Sequence, residues 1–113
     1  MALSTVLLLT FAAFAAATGQ LLFKVGATGS VTPIDFVNWP IFFGLLFYAL
    51  GTVIWIYALS SQLLVNVYAF TALTFVLVYM GGVFFLGENL SQPAIAGVLL
   101  ILAGLYLITM NKI

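Results

Sequence analysis

Apolar residues run almost without interruption from Leu3 to Val25, stop at a short polar stretch, and then resume three more times. A bilayer core of about 30 Å takes roughly 20 apolar residues as helix. The chain divides into four such spans, at about 3–25, 39–59, 64–86 and 92–110. The breaks are written in turn chemistry. Gly26 to Thr32 is small and polar, and Pro33 blocks a continuing helix. Trp39 suits a membrane interface and Pro40 a first helical turn, so together they open the second span. Ser60, Ser61 and Gln62 make a tight turn. Gly87, Glu88 and Asn89 follow the third span, and Ser91 as N-cap with Pro93 in the first turn starts the fourth. Connections this short make successive spans antiparallel. The expected fold is an all-α membrane protein, a single domain over 1–113 with four transmembrane helices in an up-down antiparallel bundle and both termini on one side.

Composition turns this pattern into a statement about solvent. Of 113 residues, 66 % are hydrophobic and 4 % charged, against about 25 % charged in a soluble domain. The surroundings must be lipid. The full charges, Lys24, Asp35, Glu88 and Lys112, cancel. Nucleic acid is excluded as a partner, because it requires clustered Lys and Arg. With no cysteine and no histidine, there is no disulfide, thiolate metal site, cysteine nucleophile or imidazole base. Two isolated carboxylates are poor material for hydrolysis or a metal site, so no enzyme activity, cofactor or metal is expected. The first apolar run lacks a preceding Lys or Arg and continues past Phe14-Ala15-Ala16-Ala17, which reads as a retained span rather than a signal peptide. Lys24 belongs to the side of the first loop and Lys112 to the side of the termini. This balance gives no positive-inside bias, and single and dual topologies both stay open.

Within the spans, polar and small residues fall on faces. Ala13, Ala16, Ala17, Gln20 and Lys24 share one face of span 1. Small side chains admit another helix and polar ones need partners, so this face looks inward. An inward ionisable group in a membrane helix points to a site; the other reading is that Lys24 ends the helix and snorkels to the headgroups. Span 2 carries Gly44, Tyr48, Gly51, Trp55 and Ala58 on one stripe, suited to close helix contact around a ring-lined groove. Span 3 has Tyr68, Ala72, Phe75 and Tyr79 on one face with Thr71 beside it, and Asn66 near its start. Aromatic stripes serve packing more often than ligands, but an amide in lipid needs a partner. Gly81-Gly82 either kinks span 3 or admits a neighbour. In span 4, Gly97 and Gly104 lie one heptad apart, widened by Ala96 and Ala103. This seam reads as a dimer interface, with packing inside the chain as the alternative.

The ending of span 1, Gly19-Gln20-Leu21-Leu22-Phe23-Lys24, the string Gly87-Glu88-Asn89-Leu90-Ser91-Gln92-Pro93-Ala94-Ile95-Ala96-Gly97 and the glycine heptad of span 4 resemble the small multidrug resistance-like branch of the drug/metabolite transporter superfamily. The resemblance covers nearly the whole chain. Drug-exporting members carry a proton-exchanging glutamate in span 1, and that position here is Ala16. The closer resemblance is to the small subunits of the undecaprenyl phosphate-aminoarabinose flippase, which also lack that glutamate and keep one before span 4, here Glu88. The family's opening of span 3 is altered here to Leu64-Val65-Asn66-Val67-Tyr68-Ala69.

The resemblance implies a flippase, or one subunit of it, moving a polyprenyl phosphate-linked sugar across the bacterial inner membrane as a homodimer or as a heterodimer with a paralogous subunit. Lys24 would then neutralise the phosphate, Gln20 and Asn66 would bond sugar hydroxyls, and Tyr48, Trp55 and Tyr68 would stack on the sugar. Glu88 would gate by pairing with Lys24, and Gly97 and Gly104 would form the dimer interface. Two other readings stay open: a small-molecule or multidrug exporter of the same superfamily, and a non-transporting accessory membrane subunit.

Overall fold

A computed structural model describes residues 2–110. Lys112, read as the exit of the last span, lies outside them. The elements are α1 (Leu3–Ala27), a 3-10 turn (Pro33–Phe36), α2 (Trp39–Leu59), α3 (Leu64–Tyr68), α4 (Phe70–Leu86) and α5 (Gln92–Thr109). The stretches Leu3–Ala27, Trp39–Leu59 and Leu64–Leu86 are each long and apolar enough to cross a membrane, and α5 is a shorter apolar helix. The protein is an all-α membrane protein, with no strand among the described residues.

Polar side chains at the helix ends do the work that turn chemistry foretells. The Asn38 side chain accepts from the Ile41 N–H at 3.0 Å and caps α2. Its amide donates to the carbonyls of Gly26 and Asp35 at 2.9 and 2.8 Å, tying both ends of the first loop together. The Asp35 carboxylate accepts from the N–H groups of Val31 and Thr32 at 3.1 and 3.0 Å. Ser91 accepts from the Ala94 N–H at 3.3 Å and caps α5. At the end of α4, Gly87 takes the left-handed backbone (φ +71°), and the Glu88 N–H donates back to the Gly82 carbonyl at 3.0 Å. The Gly87 N–H turns back to the same Gly82 carbonyl, so a group that the helix end leaves orphaned is satisfied.

Two rows of small residues bring α1 and α2 together. Ala12, Gly19 and Gly26 repeat every seventh position on α1, and Gly44, Gly51 and Ala58 do so on α2; all six are buried. A Cβ on Gly19 would lie 2.6 Å from the Gly44 carbonyl oxygen, and one on Gly51 would lie 2.8 Å from that of Ala12. The backbones therefore touch, which is how helices associate where lipid offers no hydrophobic drive.

On its other flank α1 meets α4, where Leu21 fills the space over Gly81. Gly81-Gly82 thus admits a neighbour, and α4 runs through the pair unbroken. The interruption of span 3 falls at Ala69 instead. There the ladder shifts to an i→i+3 bond, from the Ala72 N–H to the Ala69 carbonyl at 3.0 Å. Since α1 packs on α2 and α4, and α5 packs on α4, the order across the molecule is α2–α1–α4–α5. The result is a slab with extents of 48 × 35 × 18 Å. Its core of Leu9, Ala58, Val67 and Phe70 lies at the end that carries the α2–α3 turn.

Candidate functional site

Because α1 presents alanines where α2 and α4 present rings and hydroxyls, a space is left between the three helices. It is a cavity of about 430 Å³. Its floor is Ala12, Ala13 and Ala16, with Gln20 one turn further along α1. Tyr48, Thr52 and Trp55 form the α2 wall. Tyr68, Thr71, Thr74 and Phe75 form the opposite wall, with Leu9 and Phe70 at the core end.

The polar groups here are uncharged and largely uncommitted. Thr52 donates to the Tyr48 carbonyl at 2.9 Å and Thr74 to the Phe70 carbonyl at 3.3 Å, which leaves their oxygen lone pairs as acceptors. Among the described residues, the Gln20 amide, the Thr71 hydroxyl and the polar ends of Tyr48, Trp55 and Tyr68 make no hydrogen bond within the chain. The rings brace one another: Trp55 meets Tyr68 edge-on with centroids 6.3 Å apart, and Tyr48 tilts against Phe23 at 6.0 Å. An amide, several hydroxyls and aromatic faces form a donor and acceptor set that can bond a hydroxylated group and stack against its apolar side. There is no carboxylate in the lining to carry a proton.

Gln20, Tyr48, Trp55 and Tyr68, singled out from the sequence, are brought together in this one cavity. The other three polar candidates are not in its lining. Lys24 is exposed and lies on the Gln20 face of α1, four residues and hence about 6 Å nearer the loop end. Asn66 is nearly buried, 7 % exposed, but α3 turns Tyr68 to the cavity. Two residues earlier is about 200° round the helix, so Asn66 takes another face. Glu88 folds back over α4, its Oε1 2.8 Å from where a Cβ on Gly82 would sit, and it forms no ion pair with Lys24 in this conformation. On α5, a Cβ added to Gly97 or Gly104 would meet open space. Both glycines are half-buried, with no described atom within 4 Å of the added Cβ.

Thr52, Thr74 and Phe70 are lining residues that sequence reasoning missed. The signal was present: Thr52 follows Tyr48 by four residues and precedes Trp55 by three, on the same stripe. No group of His, Cys, Asp and Glu able to hold a metal occurs among the described residues. The chain matches no protein-family model, no curated protein and no solved structure.

Proposed function

We propose that this protein is a transporter or flippase subunit that moves a polyprenyl phosphate-linked sugar across the bacterial inner membrane. The observation that carries the reading is the cavity: Gln20, Tyr48, Trp55 and Tyr68 converge on a charge-free space at membrane depth, and Lys24 stands one turn outside it on the same face of α1. A hydroxylated sugar is bonded by Gln20 and the threonine oxygens and stacked on the rings. The phosphate stays at headgroup depth, where Lys24 meets it as a point charge. The hydrocarbon tail remains in lipid, which the open slab permits. Glu88 competes for Lys24 when no phosphate is present. Gly97 and Gly104, where an added Cβ meets none of the described residues, form the seam of a homodimer or of a heterodimer with a paralogous subunit.

Two observations keep other readings in play. The cavity alone, without Lys24, suits a neutral solute, as in a small-molecule exporter of the same superfamily. The uncovered glycine row suits an accessory subunit that only supports a partner. Reconstitution into vesicles separates the three. Purified protein that moves a polyprenyl phosphate-sugar between leaflets, weakened by Lys24→Ala and partly retained by Lys24→Arg, supports the flippase. Uptake of a neutral solute with no effect on the glycolipid replaces it with the exporter. Activity that appears only with a paralogous subunit makes the chain one half of a heterodimer. No activity under any of these conditions leaves the accessory role.

A further inference from the structure

Behind the ring pair lies a second space. A groove of about 610 Å³ runs between α3, the first turns of α4 and the end of α5. The residues that belong to it alone, Leu64, Val65, Ala69, Ala72 and Ile108, are all apolar. Trp55, Tyr68, Thr71 and Phe75 line both the groove and the cavity. These four side chains separate the two spaces, and among them Trp55 and Tyr68 meet edge-on.

The backbone beneath this pair is the least regular part of the span. Tyr68 is the last residue of α3. At Ala69 the ladder tightens to i→i+3, while the Ala69 N–H reaches the Val65 carbonyl at 3.3 Å. Short 3-10 geometry inside a helix marks a place where the chain bends at little cost. The side chain of Asn66, on the same short helix, makes no hydrogen bond within the chain, so α3 is held by apolar packing, chiefly that of Val67. By contrast α2 beneath Trp55 is held by the glycine contacts to α1. One ring stands on a helix fixed by backbone contact, and the other on a short helix fixed by apolar packing alone.

We propose that Trp55 and Tyr68 are an aromatic gate, opened by rotation of α3 about Ala69, which joins the cavity to the groove. Closed, the gate ends the cavity in mid-membrane. Open, it makes one passage from the Gln20 level to the lipid beside α3 and α5. Its purpose rests on the transport reading, but the gate can be read without any substrate.

The chain has no cysteine, so introduced thiols report cleanly. Ala16→Cys lies on the cavity side and Ala72→Cys on the groove side. The protein is reconstituted in phosphatidylcholine vesicles and exposed to a membrane-impermeant maleimide. Ala16→Cys is expected to label in every background. Ala72→Cys is expected to label slowly in the parent and about tenfold faster once Tyr68→Ala removes a ring contact. Tyr68→Phe, which keeps the ring, is expected to leave labelling slow. Trp55→Ala removes the other ring from the opposite helix and is expected to give the same acceleration, which covers failure of the first variant to fold. Equal Ala72→Cys rates in the parent and in the ring-deleted proteins would overturn the gate. The expected labelling pattern together with a parent protein that moves no polyprenyl phosphate-sugar between leaflets would overturn the transport reading and leave the gate standing.

Discussion

Asp35 is the one carboxylate whose role is visible in full. Backbone N–H donors from Thr32 and Val31, joined by the Thr32 side chain, hold its carboxyl below the ordinary 3.8. The sign of the linkage follows. A lowered folded pKa means the order it brings to the loop is fully present above about 3.8 and is lost as pH falls through the lower folded value. Amide exchange at Val31 and Thr32 is expected to be protected at neutral pH and to lose protection only in that acid window. Asp35→Asn is expected to remove the pH dependence. Lys24 is exposed, and its proposed role is to meet the phosphate of the substrate. Lys24→Ala is expected to leave the fold intact and to weaken binding of a polyprenyl phosphate-sugar, read by native mass spectrometry from lipid. At this scale the periodicity of the sequence was informative for Gln20, Tyr48, Trp55 and Tyr68, because rings and amides on one stripe stand out. It marked Thr52 as well, on the stripe of Tyr48 and Trp55, but not Thr74, whose hydroxyl bonds its own backbone as an ordinary membrane-helix threonine does.

Among the helices, the glycines divide into those that are covered and those that are not. At Gly19, Gly44 and Gly51 the neighbour within 3 Å of an added Cβ includes backbone or a ring that cannot simply swing aside. Gly19→Leu or Gly51→Leu is expected to cost about 3 kcal/mol or more, at or above the upper end of ordinary overpacking, and to lower the thermal midpoint in detergent. Gly97→Leu and Gly104→Leu meet open space, so their midpoints as monomers are expected to stay unchanged. The positions of the spans follow from hydropathy and caps. The interruption at Ala69 does not, because no Gly or Pro announces it. Gly81-Gly82 reads as either a bend or room for a neighbour; the pair is occupied by Leu21 and the Glu88 carboxylate, and a filled notch gives a helix no reason to bend. Asn66 is singled out because an amide in lipid needs a partner, and its place on α3, a separate first piece of span 3, is not legible in the sequence.

For the molecule as a whole, the open space beside Gly97 and Gly104 and a charge-free cavity lead to two expectations. Gly97→Leu and Gly104→Leu are expected to shift the protein toward monomer in crosslinking and native mass spectrometry, by holding two backbones apart; unchanged assembly would place the interface on another helix. With no carboxylate in the cavity lining, ethidium is not expected to drive proton counterflow in vesicles, and robust coupling would restore the multidrug reading. The lateral order α2–α1–α4–α5 was not legible, because hydropathy tells which residues meet lipid or protein but not which helix lies beside which.

That order also carries a timetable. The glycine-lined seam of α1 and α2 is complete within the first half of the chain, so this hairpin can close while the later helices are still being synthesised. The third span then docks onto a finished surface, with Leu21 already waiting for Gly81. Defects in the seam would therefore be felt at insertion, and those at Gly81 only afterwards, as a hairpin left without its companion.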